Sequence, residues 1–173
     1  IIVLPHISTQ PQTHFPVAGG SLCAASMSEM QYGGAGRLVC KVFLDGHQVV
    51  EDYDGRTVCV VLPDGSEQHY VGEKGAERIA RKVFSPGREV QHYKGMRGAE
   101  RMVRKVFPCG QVHHYKGEGG AERTVRVHFP GCHVRHFKGE RGAERMVRMV
   151  WPDDLEEHYE GERGAERRVC VVF

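Results

Sequence analysis

One ten-residue phrase returns five times in this chain, and any fold it adopts must repeat with it. Residues 69–78 read HYVGEKGAER, 92–101 HYKGMRGAER, 114–123 HYKGEGGAER, 136–145 HFKGERGAER and 158–167 HYEGERGAER. The aromatic slot falls at Tyr70, Tyr93, Tyr115, Phe137 and Tyr159, at spacings of 23, 22, 22 and 22 residues. A second apolar column runs through Phe43, Leu62, Phe84, Phe107, Phe129, Trp151 and Phe173. Self-similarity at a fixed period of this length marks a stacked array, in which each copy buries its apolar surface only against its neighbours. It argues against a single-copy active site.

Each unit divides into two strands. Arg101 to Phe107 alternates with apolar residues on both faces, and Val112 to Gly117 follows after the turn Pro108-Cys109-Gly110. Pro63-Asp64-Gly65 supplies the same turn chemistry earlier in the chain. A helix over AERMVRKVF is the alternative, because Ala, Glu, Arg and Met favour helices. Valine-rich ends and frequent glycines argue for strands instead. The first unit, Phe43 to Val61, lacks the E-x-G-A-E stretch, and Asp54-Gly55 reads there as a two-residue hairpin turn. A segment that can be dropped between strands is a connection. The expected fold is therefore all-β: an elongated antiparallel meander of repeated hairpins, a single sheet of about six units and about twelve or thirteen strands, roughly 60 Å long. GAER connections should run along one long edge and the P-x-G turns along the other.

Residues 1–36 carry no repeat, no Lys or Arg, and Glu29 as their only acid. Rich in Pro, Gly, Ser and Ala, they read as an irregular N-terminal arm, with the array occupying residues 37–173. The chain begins at Ile1 without an initiator Met, so a processed form or a fragment of a longer chain is expected.

Composition limits the function classes. No run approaches the ~18 apolar residues of a membrane-spanning helix. The 24 basic residues face 22 acidic ones, so a phosphate-tracking stripe is not implied and no nucleic acid is expected. Cys23, Cys40, Cys59, Cys109, Cys132 and Cys170 form no CxxC pair and read as reduced thiols. A reducing compartment is favoured, the cytoplasm or an organelle stroma, for a soluble or peripheral protein.

The repeated polar columns can each be weighed as chemistry. His69, His92, His114, His136 and His158 recur two strands apart, ~10 Å between backbones. Zinc needs ligand nitrogens within about 2.1 Å, so this column cannot converge on one ion and reads as a polar ladder hydrogen-bonded to neighbouring strands. No metal and no cofactor are expected. Glu77, Glu100, Glu122, Glu144 and Glu166, beside the column Arg81, Arg104, Arg126 and Arg148, read as cross-strand charge pairs between units. Five equivalent carboxylates do not make a unique acid–base pair, so no catalytic residue and no enzyme activity are expected.

The turn and Tyr-x-Gly-Glu pattern, Leu62-Pro63-Asp64-Gly65 with Tyr70-Val71-Gly72-Glu73 and Phe107-Pro108-Cys109-Gly110 with Tyr115-Lys116-Gly117-Glu118, resembles the MORN repeat, a β-hairpin unit of similar length. The resemblance covers about residues 38–173. It implies a scaffold, membrane tether or assembly platform, here an accessory subunit with protein partners in a larger complex. Hairpin arrays of the GAER kind are similar to those of unicellular algal proteins, which implies more specifically a peripheral subunit of an organellar, photosynthetic membrane complex. The contact residues expected are Tyr93, Tyr115, Phe137 and Tyr159, the arginines Arg104, Arg126 and Arg148, and the uncharged last strand with Val169, Val171 and Phe173. That strand is expected to be covered by the chain's own arm or by a partner, because bare edges invite pairing. The alternative is a binding module for anionic lipid headgroups or polyanions, since arginine and aromatic side chains together bind such ligands.

Overall fold

Short runs of β-branched and long polar residues, cut every few positions by Pro-Gly or Gly-rich turns, yield strands and, among the described residues, no helix. The computed structural model describes residues 26–31 and 37–173. Its strands are β1 (Ser26–Gln31), β2 (Arg37–Val42), β3 (Gln48–Glu51), β4 (Thr57–Val61), β5 (Glu67–Val71), β6 (Arg78–Phe84), β7 (Glu89–Lys94), β8 (Arg101–Val106), β9 (Val112–Lys116), β10 (Arg123–His128), β11 (Val134–Lys138), β12 (Arg145–Val150), β13 (Glu156–Glu160) and β14 (Arg167–Val172). They form one open sheet of fourteen strands in chain order, each antiparallel to the next. The AERMVRKVF segment is β8, so the helix alternative fails.

The count exceeds the expected number through β1, which pairs with β2 from Ser26↔Val42 to Gln31↔Arg37. That strand falls inside the stretch read as an irregular arm. The rest of that reading concerns residues 1–25 and 32–36, which lie outside the described residues.

The P-x-G turns close by one geometry. In Leu62 to Ser66, the Gly65 N–H donates to Leu62 O at 2.9 Å and the Leu62 N–H to Ser66 O at 2.8 Å, with Gly65 at φ +80°. Asp52 to Arg56 forms the same turn, which corrects the two-residue reading of Asp54-Gly55. Only Gly55 takes positive φ there. Asp52 Oδ1 accepts the Asp54 and Arg56 N–H groups at 3.1 and 3.0 Å, which favours the longer turn.

Each of the five hairpins closed by a GAER connection, and the β3–β4 hairpin, carries a β-bulge, a feature that regular alternation does not anticipate. His92 pairs with Arg104 but Tyr93 with Met102, leaving Val103 extra. The same shift leaves out Val58, Ala80, Val125, Val147 and Val169. A bulge increases local twist and re-aims the side chains beyond it.

GAER connections line one long edge, as expected, and cross-link there. The Glu100, Glu122, Glu144 and Glu166 carboxylates accept the backbone N–H groups of Ile79, Met102, Thr124 and Met146 in the preceding unit at 3.3, 3.0, 3.3 and 3.2 Å. Basic residues at the third loop position donate to carbonyls of the previous loop: Lys74 to Asp54 O, Arg97 to Gly75 O, Arg141 to Gly120 O and Arg163 to Gly142 O. Arg101 and Arg145 reach forward to Gly117 O and Gly161 O at 2.9 and 3.1 Å. The leading loop glycine is obligatory: at Gly117, φ is +127° and a Cβ would stand 2.6 Å from Ala121 O. These contacts correct the expected pairing of the Glu column with Arg81 to Arg148, because the carboxylates are held on backbone at the loop edge.

The sheet has no second layer among the described residues, and only Cys40, Val127 and Met149 are buried apolar residues. Loop cross-links therefore matter to stability. Glu122→Ala leaves the Met102 and Gly120 N–H groups without their acceptor. It should cost about 1–2 kcal/mol in urea unfolding, the low side for a charged acceptor because one side faces water. Gly119 stands where Arg or Lys occupies the other loops. Gly119→Arg would set a Cβ 3.3 Å from Glu100 O, a close approach that loop 95–100 must relax. With that relaxation the added contact to Gly98 O should raise stability by up to about 0.5–1 kcal/mol in the same measurement.

Candidate functional site

Because of the bulges, the His and Arg columns merge into one row. From β4 to β14 the pairs run Cys59↔His69↔Arg81↔His92↔Arg104↔His114↔Arg126↔His136↔Arg148↔His158↔Cys170. The histidines align in one column, but the expected hydrogen bonds to neighbouring strands are not made among the described residues: arginines, and Cys59 and Cys170 at the two ends, face the rings instead. Where a ring nitrogen has a carboxylate partner, at His69 and His158, it is on the same strand: Glu67 at 2.8 Å and Glu156 at 3.5 Å.

Arg81, Arg104 and Arg126 are exposed in this row, and none forms an ion pair among the described residues. Arg148 differs, bonded to Glu156. Lys94, Lys116 and Lys138 lie two residues beyond the row histidines, so they share this face and are also exposed. A shallow depression of about 520 Å³ sits among His114, Arg126 and His136, floored by the bulged Val125 and Val147. This face is cationic despite the near-neutral chain. The glutamates that balance it in the count are held at the loop edge.

The opposite face carries the aromatic column. Tyr70, Tyr93, Tyr115, Phe137 and Tyr159 pair with Ile79, Met102, Thr124, Met146 and Arg168 in one row, half-buried except for the exposed Arg168. Tyr70, Tyr93 and Tyr159 donate to Gln68, Gln91 and Glu157. Long cations lie across this side: Lys82 over Tyr93 at 5.5 Å, Lys105 over Phe107 at 4.7 Å and Arg135 over Phe129 at 4.9 Å. Such contacts screen the rings with the side-chain stems. Tyr93, Tyr115, Phe137 and Tyr159 are thus together, on the face away from Arg104, Arg126 and Arg148. The third expected group lies at the sheet end: Val169 is about half exposed, Val171 is partly buried opposite Glu157 and Phe173 is fully exposed, and no described residue pairs with the outer side of β14.

Column-by-column reasoning overlooked one cluster. Cys59 on β4 faces His69 on β5, with Glu67 two residues before the histidine, and their ligand atoms all lie within 4.8 Å of one another. Burial, then the Glu67 charge, then Cys40, push the Cys59 thiol up to about 11. The sequence signal was available: Glu precedes a column histidine by two residues only at Glu67 and Glu156, in the units where Cys59 and Cys170 replace the arginine. The described cysteines are all free thiols.

No family model matches the chain, and no curated protein matches it. No helix among the described residues is long and apolar enough to cross a membrane.

Burial lowers the pKa of His92, His114 and His136, and the flanking Arg81, Arg104, Arg126 and Arg148 lower it further. The folded state therefore binds fewer protons than the unfolded chain just below the ordinary value of about 6.5. The stabilising contribution is complete above that value and declines as the pH falls through the lower folded values. Ring-proton NMR should find these three histidines titrating below free histidine, with thermal stability falling as the pH drops below about 6.5.

Proposed function

We propose that this chain is a non-catalytic scaffold, an accessory subunit that holds protein partners within a larger assembly. One observation carries the reading: among the described residues, a single-layer sheet with two chemically unlike faces and almost no core of its own. A layer of this kind leaves both faces available for contact, and extensive faces that stay open are characteristic of interaction surfaces. The carboxylates of the repeat are engaged with backbone N–H groups, which favours structural roles over acid–base chemistry. The finer form of the proposal is a MORN-like hairpin platform at the periphery of an organellar, photosynthetic membrane complex. Its protein contacts would be made by the aromatic row, the Arg104–Arg126–Arg148 row and the β14 edge.

A second reading has its own support. Exposed Arg81, Arg104 and Arg126 recur along one face at ~10 Å spacing, without carboxylate partners among the described residues. Anionic headgroups or a polyanion would complement that row. Arg104→Glu combined with Arg126→Glu tests both readings without touching the loop cross-links. For a scaffold, the tagged chain recovered from its source cells should carry stoichiometric protein subunits, and the double variant should lose at least one. For a headgroup binder, the wild-type chain should sediment with phosphatidylserine vesicles but not phosphatidylcholine ones. That binding should be lost in high salt and in the double variant. Recovery as a lone monomer without vesicle binding would refute both.

A further inference from the structure

We propose that Cys59, Glu67 and His69 form a binding site for a zinc-like divalent cation on the His–Arg face of the β4–β5 hairpin. The trio combines a thiol, an imidazole and a carboxylate, the donor set that Zn²⁺ accepts. All three come from adjacent antiparallel strands, so the backbone fixes their relative positions before any ion arrives. Cys59 and His69 are directly opposed, and Glu67 projects from the same face two residues along. His69 Nε2 is already 2.8 Å from Glu67 Oε2, and the ligand atoms span no more than 4.8 Å. Around a tetrahedral zinc, ligand atoms stand roughly 3.3–3.7 Å apart from the Zn–S, Zn–N and Zn–O lengths. Small side-chain rotations close that difference, leaving the fourth position for water or an outside ligand.

The donors, a carboxylate and an ionisable thiol beside one imidazole, favour a cationic guest. Val50 on β3, Val61 on β4 itself and Val83 on β6 flank the trio, so the cluster is half-buried in an apolar rim. Arg81, opposite His69 on β6, is the adverse charge, but its side chain is exposed and forms no ion pair with Glu67 among the described residues. The repeat supplies internal comparison. In the three central units, Val90, Val112 or Val134 stands two residues before the histidine, which has arginine on both sides. Only the units of His69 and His158 exchange valine for glutamate and one arginine for cysteine. Both exchanges replace apolar or cationic groups with metal donors, and they occur together. In the second unit the set is not assembled: Glu156 is bonded to Arg148, and Cys170 Sγ is directed at Val171 O at 3.8 Å. The Cys59 site is therefore the one expected to bind.

Cobalt(II) titration of the full chain under reducing conditions, with zinc competition, tests the assignment. One equivalent should produce a thiolate-to-cobalt charge-transfer band that zinc abolishes. Cys59→Ser should remove the band, and His69→Gln and Glu67→Gln should weaken binding at least tenfold. Cys40→Ser and Cys132→Ser should leave it unchanged. Arg81→Ala should tighten binding, a response that an adventitious surface thiol would not give. Circular dichroism of each variant separates lost binding from lost fold, and the Arg81→Ala result stands even if Cys59→Ser misfolds. No band in the wild-type chain, or a band retained in folded Cys59→Ser, would overturn the site.

Discussion

A glutamate carboxylate on each GAER loop from 95–100 onward accepts the N–H left free where the ladder between consecutive hairpins ends, and the rest of this sheet is organised around that contact. Within a hairpin, backbone pairing and the turn hold two strands together. Between hairpins the ladder stops early: β6 and β7 pair only as far as Arg81↔His92, and the Ile79 N–H beyond is taken by Glu100. An unpaired N–H at that position would cost about 1–3 kcal/mol where it is shielded from water. Backbone bonding also holds Glu77, Glu122, Glu144 and Glu166 below the usual carboxylate range, although burial opposes the shift and is the largest single influence at Glu122 and Glu144. A folded pKa below the unfolded one means that their contribution is present above the ordinary glutamate range. It is lost as the pH falls through the folded values.

The bulge determines what each face presents. Without Val103 as an extra residue, Met102 and Arg104 would share a face. With it, Met102 joins Tyr93 and Arg104 joins His92. Repetition of this shift collects arginine and histidine on one side and aromatic, methionine and glutamine residues on the other. The aromatic side is then partly covered by its own lysines and arginine, whereas Arg104 and Arg126 remain uncovered. Two unlike faces thus arise from one repeated phrase.

Much of the architecture was legible because hairpin arrays advertise themselves by period. Proline before glycine marked the turns at Leu62 and Phe107, and the shortened unit near Asp54 identified GAER as a connection. The bulge left no comparable mark, since a valine skipped from pairing looks like a valine in a regular strand. Arithmetic by alternation therefore paired Glu with the wrong arginines and made the chain's charge seem locally compensated. Strand β1 was missed because its sequence, SMSEMQ, lacks both the repeat and strong strand formers. The Cys59 cluster was overlooked for a different reason. Its three donors belong to three different slots of the repeat, and only the Cys59↔His69 register brings them to one place.

A quasi-one-dimensional array is only as cooperative as its weakest joint. Gly119 removes the basic side chain from one loop, so the joint between loops 95–100 and 117–122 loses a link that the others have. Two contacts still cross it: Arg101 to Gly117 O and the Met102 N–H to Glu122. On the aromatic face, Phe107 meets His113 edge-on at 4.9 Å across the same β8–β9 junction. The joints on either side show the converse, with Arg97 bound to Gly75 O and Arg141 to Gly120 O. Each joint from loop 72–77 onward thus keeps one carboxylate link and at least one arginine link. Redundancy of this kind lets individual loop positions vary while the sheet stays continuous, so differences such as Cys59 for arginine can be confined to one unit without breaking the array.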